Sequence, residues 1–247
     1  MNRPCRELKR TARENLTQHY SIPMGALLVS WIIPLAIELP FSMIQGAHPS
    51  LMQNIVFYAA ELLIGLISYV LSAGIARIHL HMARGQEYTL GMIFSGFKEQ
   101  PDRYLLAGIF RFAAALAGML PFLAGFAASL LFHALWSYVL LGIFSVVSLL
   151  LTVFFQLNIA LTLYLVIDHP ELSAWNCLKN SMQAMRGHKG RLLYIWLSFL
   201  GLQILCLLSF GLGSLWVVPY QSQTLVNFYL DITGQLPAFG SVSYQHA

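Results

Sequence analysis

Charge is scarce in this sequence. Only 10% of its 247 residues are Asp, Glu, Lys or Arg, where an average soluble domain has about 25%. Apolar residues make up 57%, so an ordinary water-soluble globule is excluded. Three cysteines are too few for a disulfide framework. Cys5 and Cys177 are expected on the reducing side of a membrane and Cys206 within a span, so none should be cross-linked. Catalytic signatures are missing as well: there is no Gly-x-Ser-x-Gly, no His-Glu-x-x-His and no phosphate-cradling loop. Gly211-Leu-Gly213 lies inside a hydrophobic run, far from any nucleotide-binding context. The reading is therefore no enzyme, no cofactor and no metal centre. His79 and His81 are two residues apart, about 200° around a helix, and cannot hold one ion from one face. His79, His81, Asp168, His169 and His188 read as interfacial groups.

What is present is apolar length. A bilayer core of about 30 Å needs roughly 20 apolar helical residues, and five stretches qualify: 24–44, 53–76, 104–127, 138–167 and 192–218. The fourth is too long for the bilayer and must tilt, break or protrude. The first is longer than a signal-peptide core and lacks an Ala-x-Ala site.

Thirteen of the fourteen Lys and Arg fall before span one, between spans two and three, or between spans four and five. Segments 45–52, 128–137 and everything after Val218 have none. Basic residues mark the cytoplasmic side, which puts the N-terminus inside and the C-terminus outside. The net charge of +4 thus reflects topology, and nothing indicates nucleic-acid binding. Aromatic residues fit this scheme: Tyr20, Tyr104, Tyr194 and Trp196 near the inner boundary, Trp136, Tyr138, Trp216 and Tyr220 near the outer one.

The expected fold is an all-α membrane protein, a five-span helical bundle forming one domain over residues 1–234. Residues 1–20 form a cytoplasmic amphipathic arm whose stripe Leu8, Ala12 and Leu16 would rest on the inner leaflet. Two amphipathic cytoplasmic elbow helices are expected, at Thr89–Lys98 and Leu172–Ser181. Each elbow is followed by an Arg where the next span begins, which suggests a duplicated span–surface helix–span unit in parallel orientation. Residues 221–233, with Leu225, Phe228, Tyr229 and Ile232 on one face, are expected to lie on the outer surface. Residues 235–247 read as a flexible tail.

Three ionisable residues fall within spans: Glu38, Glu61 and Arg111. Such residues are costly in lipid and point to function or to a partner. Glu61 lies roughly 12 Å below the outer end of its span and Arg111 roughly 10 Å above the inner end of its own. They form a candidate polar pair; snorkelling and a proton or substrate path are the alternatives. Glu38, near Pro40, is close enough to reach the outer headgroups. Pro34, Pro40 and Pro121 interrupt helices, as kinks or as breaks lining a site. Small residues four apart mark candidate helix-contact faces: Ser68 and Ser72, Ala114 and Gly118, Ser209 and Gly213. These serve packing within the chain or a homodimer.

A family resemblance rests on several blocks: Glu7-Leu-Lys, Ala12-Arg and Leu16; Asn180-Ser-Met-Gln-Ala-Met-Arg-Gly-His-Lys189; Leu197-Ser-Phe-Leu-Gly201; Phe210-Gly-Leu-Gly-Ser-Leu-Trp-Val-Val-Pro-Tyr220; and Asn227-Phe-Tyr229. Together they resemble the bacterial integral-membrane family called domain of unknown function 975, over nearly the whole chain. Leu202 departs from the pattern, which has an aromatic residue after Phe-Leu-Gly. The resemblance implies a multi-pass protein of a bacterial cytoplasmic membrane and supplies no reaction. A looser likeness to the membrane portion of some glycerophosphodiesterases hints at a companion role. Function is read as a non-enzymatic module that binds a partner protein or organises lipid. The alternative is a small transporter or exporter-like protein for a lipid or amphipathic peptide.

Overall fold

A computed structural model describes residues 3–45 and 49–236, and among them there is no strand. Eleven α-helices follow one another: α1 Cys5–Leu16, α2 Ser21–Gln45, α3 Leu51–Ala83, α4 Ser95–Lys98, α5 Pro101–Phe132, α6 Leu135–Ile159, α7 Thr162–Asp168, α8 Ala174–Ala184, α9 Lys189–Ser198, α10 Leu200–Leu208 and α11 Ser214–Ile232. A 3-10 helix at Leu90–Phe94 precedes α4. Five helical stretches, Ser21–Met43, Leu51–Ala83, Pro101–Phe132, Leu135–Asp168 and Lys189–Leu208, are long and apolar enough to cross a membrane. The expected tail lies outside the described residues from position 237 onward.

The core gathers at one end. Leu8, Ala12 and Leu16 of α1 are fully buried together with Leu80 and Met82 of α3, Leu161, Phe199, Phe228 and Tyr229. The stripe on α1 is thus covered by α11, α9 and α3, where the sequence suggested a leaflet. The physical reason is local supply. α11 offers Val226 and Leu230 to that face, and the Asn227 amide donates to the Leu8 carbonyl at 3.2 Å. Away from this end the helices expose large apolar side chains along most of their length, as in Leu35, Leu63, Leu120 and Leu150.

The long fourth stretch breaks after Ile159. Ser181 of α8 closes the gap: its hydroxyl donates to the Asn158 carbonyl at 3.0 Å and accepts the Leu161 N–H at 3.2 Å. Backbone groups freed by a break must find partners, and here a buried side chain supplies both. The two elbows differ in form. The first is a 3-10 turn followed by the four residues of α4, and the second is the 11 residues of α8. Ile93 of the first elbow rests directly on Gly74, where a Cβ would overlap the Ile93 backbone.

The largest departure from expectation concerns the end of the chain. Span five was read as continuous to Val218, with an outer helix beyond it. The chain instead turns at residues 209–213, where Phe210 and Gly211 adopt positive φ of 52° and 87°. The Ser209 hydroxyl accepts the Gly213 N–H at 2.9 Å, and the Gly211 N–H reaches the Cys206 carbonyl at 2.9 Å. From there α11 runs back, so residues 221–233 lie at the same end as the basic arm. Tyr220, expected at the opposite boundary, stacks edge-on against Phe199 with ring centroids 5.1 Å apart. The Arg13 guanidinium lies 5.8 Å from its ring centre.

Candidate functional site

Two groups of polar side chains stand out, and they behave differently. The first ties the packed end together. Arg84, which caps α3, makes two bonds to the Asp168 carboxylate, at 2.9 and 2.6 Å, and the Tyr229 hydroxyl donates to the same carboxylate at 2.7 Å. Arg84 also reaches the Gln235 side chain at 2.7 Å. The hydrogen bond to Asp168 holds the Arg84 guanidinium proton more firmly than usual, against the opposing effect of burial. Burial, reinforced by the Asp168 charge, pushes the Tyr229 phenol well above the ordinary tyrosine range.

Nearby, Asp231 accepts from Arg191 at 2.7 Å and from the Arg3 backbone N–H at 3.2 Å. His79 and Gln223 pair at 2.7 Å in full burial. Arg103 grips the carbonyls of His169, Pro170 and Leu172. Lys9 lies 4.3 Å from the Phe199 ring centre and donates to the Ser198 hydroxyl at 3.0 Å. Burial, then Arg13, lowers its pKa. All of these groups are turned toward protein, so they hold elements in place. Cys5, Cys177 and Cys206 are free thiols.

The second group lines a cleft of about 560 Å³ between α3 and α5, half open at the side of the bundle. Its walls include Leu62, Leu66, Ile109 and Phe112, and its polar lining is Glu61, Arg111 and Gln156. Its floor forms because α5 has no side chain at Gly108, where an added Cβ would come 2.9 Å from the Tyr69 ring. At Gly65 a Cβ would meet nothing within 4 Å, so the cleft is open there. Glu61 and Arg111 therefore share one wall-bounded space, as their depths suggested. Among the described residues, however, no ion pair joins them. Arg111 is exposed, and Glu61 and Gln156 are half-buried. Chemically the cleft offers an anion, a cation and an amide at stepped heights between apolar walls.

The other candidate residues have local roles. Glu38 is half-buried on α2, outside this cleft. Ser68 and Ser72 donate to carbonyls of their own helix, at Ile64 and Tyr69. Gly118 meets α6: an added Cβ would lie 2.7 Å from Thr152 Cα, and the Ser148 hydroxyl donates to its carbonyl at 2.7 Å. Ala114, one turn earlier, is half-buried. Ser209 and Gly213 close the turn into α11. Among the described residues, no group of three or more His, Cys, Asp or Glu is placed to hold a metal.

Sequence reasoning missed Gln156, the Arg84–Asp168–Tyr229 cluster and the role of Asp231. One signal was available: Gln223, Asn227 and Asp231 fall four apart on α11 and form a polar stripe that must meet partners if buried.

A family model described as "Protein of unknown function (DUF975)" matches residues 1–235. No curated protein and no solved structure matches the chain.

Proposed function

The chain belongs to the DUF975 family, and from that premise we propose that it is a non-enzymatic multi-pass membrane module that organises lipid, holding an amphipathic lipid in the cleft between α3 and α5. One observation carries the reading: Glu61, Arg111 and Gln156 line a laterally open apolar cleft, and the acid and base within it do not neutralise each other. A charged side chain at mid-bilayer costs about 2.5–3.5 kcal/mol on insertion scales. An occupant with a polar head and an apolar tail offsets that cost for both groups at once. The basic end faces the cytoplasm on this reading, in the bacterial cytoplasmic membrane that the family resemblance suggests. Because α11 returns to that end, both termini of the described chain lie there.

The test uses protein extracted in lipid-retaining particles and weighed intact by native mass spectrometry. The wild type is expected to keep a defined lipid that Gly65→Phe, which fills open space in the cleft, loses at least tenfold. Equal retention by both would overturn the cleft assignment. A stoichiometric second protein lost by the same substitution would show that the occupant is a partner helix.

A second reading is movement of such an amphiphile across the bilayer. The stepped, unpaired placement of Glu61 and Arg111 favours it, as would a parallel duplication of the span–elbow–span unit. Glu61→Gln should then stop lipid flux in reconstituted vesicles while the protein stays monodisperse. Normal flux in that variant sinks the transport reading.

A further inference from the structure

A second polar feature lies outside the cleft and does not depend on it. Between Leu172 and Leu230 the sequence contains no Asp or Glu, yet it carries Lys179, Arg186, Lys189 and Arg191. Arg191 is paired with Asp231. The other three form no ion pair among the described residues. They gather where α8 turns into α9. Lys179, Met182, Gln183 and Arg186 line a concavity of about 360 Å³, and Lys189 opens α9, whose N-terminal dipole end adds positive potential.

Around the first elbow the cations are mostly occupied: Arg77 of α3 is paired with Glu99 at 2.6 Å, Arg103 of α5 holds three backbone carbonyls, and only Lys98 has no ion pair among the described residues. Cations that only fix orientation need no common cavity. In the second elbow Lys179 and Arg186 share one, and they and Lys189 are left without an ion pair among the described residues.

The surroundings select the ligand. Trp175 is exposed beside this cavity, with the Lys179 ammonium 5.4 Å from its ring centre. The Trp175 ring meets Phe110 of α5 edge-on at 5.7 Å, which brings α8 against an apolar helix. The Lys189 ammonium lies 4.5 Å from the Phe154 ring centre on α6. From Phe154 an exposed apolar stripe continues through Leu150, Val147 and Ile143, spaced as one helical face. A soluble anion or an acidic peptide would use the cations and leave the tryptophan and the stripe idle. A phospholipid uses all of them.

We propose that the α8–α9 elbow binds the headgroup of an anionic phospholipid, with Lys179, Arg186 and Lys189 around the phosphate and an acyl chain laid along the Phe154–Ile143 stripe of α6. Basic pockets at the cytoplasmic ends of membrane helices recognise such headgroups, each cation contributing roughly fivefold in affinity.

The experiment titrates the purified full chain in neutral detergent with phosphatidylglycerol or phosphatidylcholine and counts bound lipid by native mass spectrometry. Phosphatidylglycerol is expected to bind at least tenfold more tightly than phosphatidylcholine. Lys179→Gln/Arg186→Gln/Lys189→Gln should weaken it about hundredfold, whereas Arg6→Gln/Arg10→Gln/Lys98→Gln, which removes the same charge elsewhere, should change it less than threefold. Lys179→Arg/Lys189→Arg should keep the affinity. Arg186→Gln alone, about fivefold weaker, carries the test if the triple variant does not fold. Equal losses in the two triples, equal binding of the two lipids, or displacement by soluble glycerol phosphate at matched concentration would each overturn the proposal.

Discussion

The packed end of the molecule and its exposed shaft treat polar groups in opposite ways. At the packed end Arg84, Asp168, Tyr229, Arg191 and Asp231 are closed into bonds between distant segments, and the apolar side chains around them have almost no exposed surface. Along the shaft large apolar residues face outward, and the few polar ones, Glu61, Arg111 and Gln156, line a cleft with no ion pair between acid and base. In a membrane, apolar contact gives helices little reason to associate, since lipid is equally apolar. Firm assembly then depends on interlocked polar groups and tight packing at one end, which leaves the shaft free to keep an opening.

The largest break in this contrast should come from Asp231→Ala. It leaves the Arg191 guanidinium without its carboxylate, and breaking a buried pair costs about 3–5 kcal/mol. Thermal unfolding in one fixed detergent should show it, and an unchanged midpoint would deny the packed end its role. Leu16→Ala, in a fully buried position, should cost about 2–5 kcal/mol. Leu208→Ala, on the exposed shaft, should change the midpoint by less than about 0.5 kcal/mol. Two glycines of α3 sharpen the comparison within one helix. Gly74→Ala drives a methyl into the Ile93 backbone and should cost about 1–3 kcal/mol, while Gly65→Ala enters open space and should be tolerated.

A pH-dependent effect concerns Tyr229. Its phenol keeps its proton in the fold at pH values where the unfolded chain has lost it. Stability should therefore fall as pH rises through the ordinary tyrosine range near 10. Tyr229→Phe should remove that tyrosine's part of the slope, at a cost near neutral pH of about 1 kcal/mol for the lost hydrogen bond. An identical alkaline profile in the variant would show that Tyr229 does not cause it.

How much of this was legible depends on which interactions are written locally. The apolar stretches were, because span length is set by bilayer thickness, and α1 was, because Leu8, Ala12 and Leu16 recur at helical spacing. Glu61 and Arg111 could be placed in neighbouring layers by counting residues from span ends. Gln156 could not, since one amide inside an apolar run carries no period. The turn at 209–213 was hidden because Phe210 and Leu212 flank it with apolar side chains, and its glycines read as a contact face. Asp168 and Asp231 meet cations 84 and 40 residues away, and no spacing rule connects such positions. Even Gly74, which sets the approach of the first elbow, looks in sequence like any small residue in a span.

The fold of α11 against α1 has a consequence for how the protein is made. Asn227 bonds to the backbone of Leu8 over a sequence separation of 219 residues. α1 therefore waits, with its apolar stripe unclaimed, until α11 has been translated. Completion of the core waits on α11, and a chain cut short before residue 219 carries a helix that can never dock. For a cellular protease, that uncovered first helix is a direct mark of an unfinished protein.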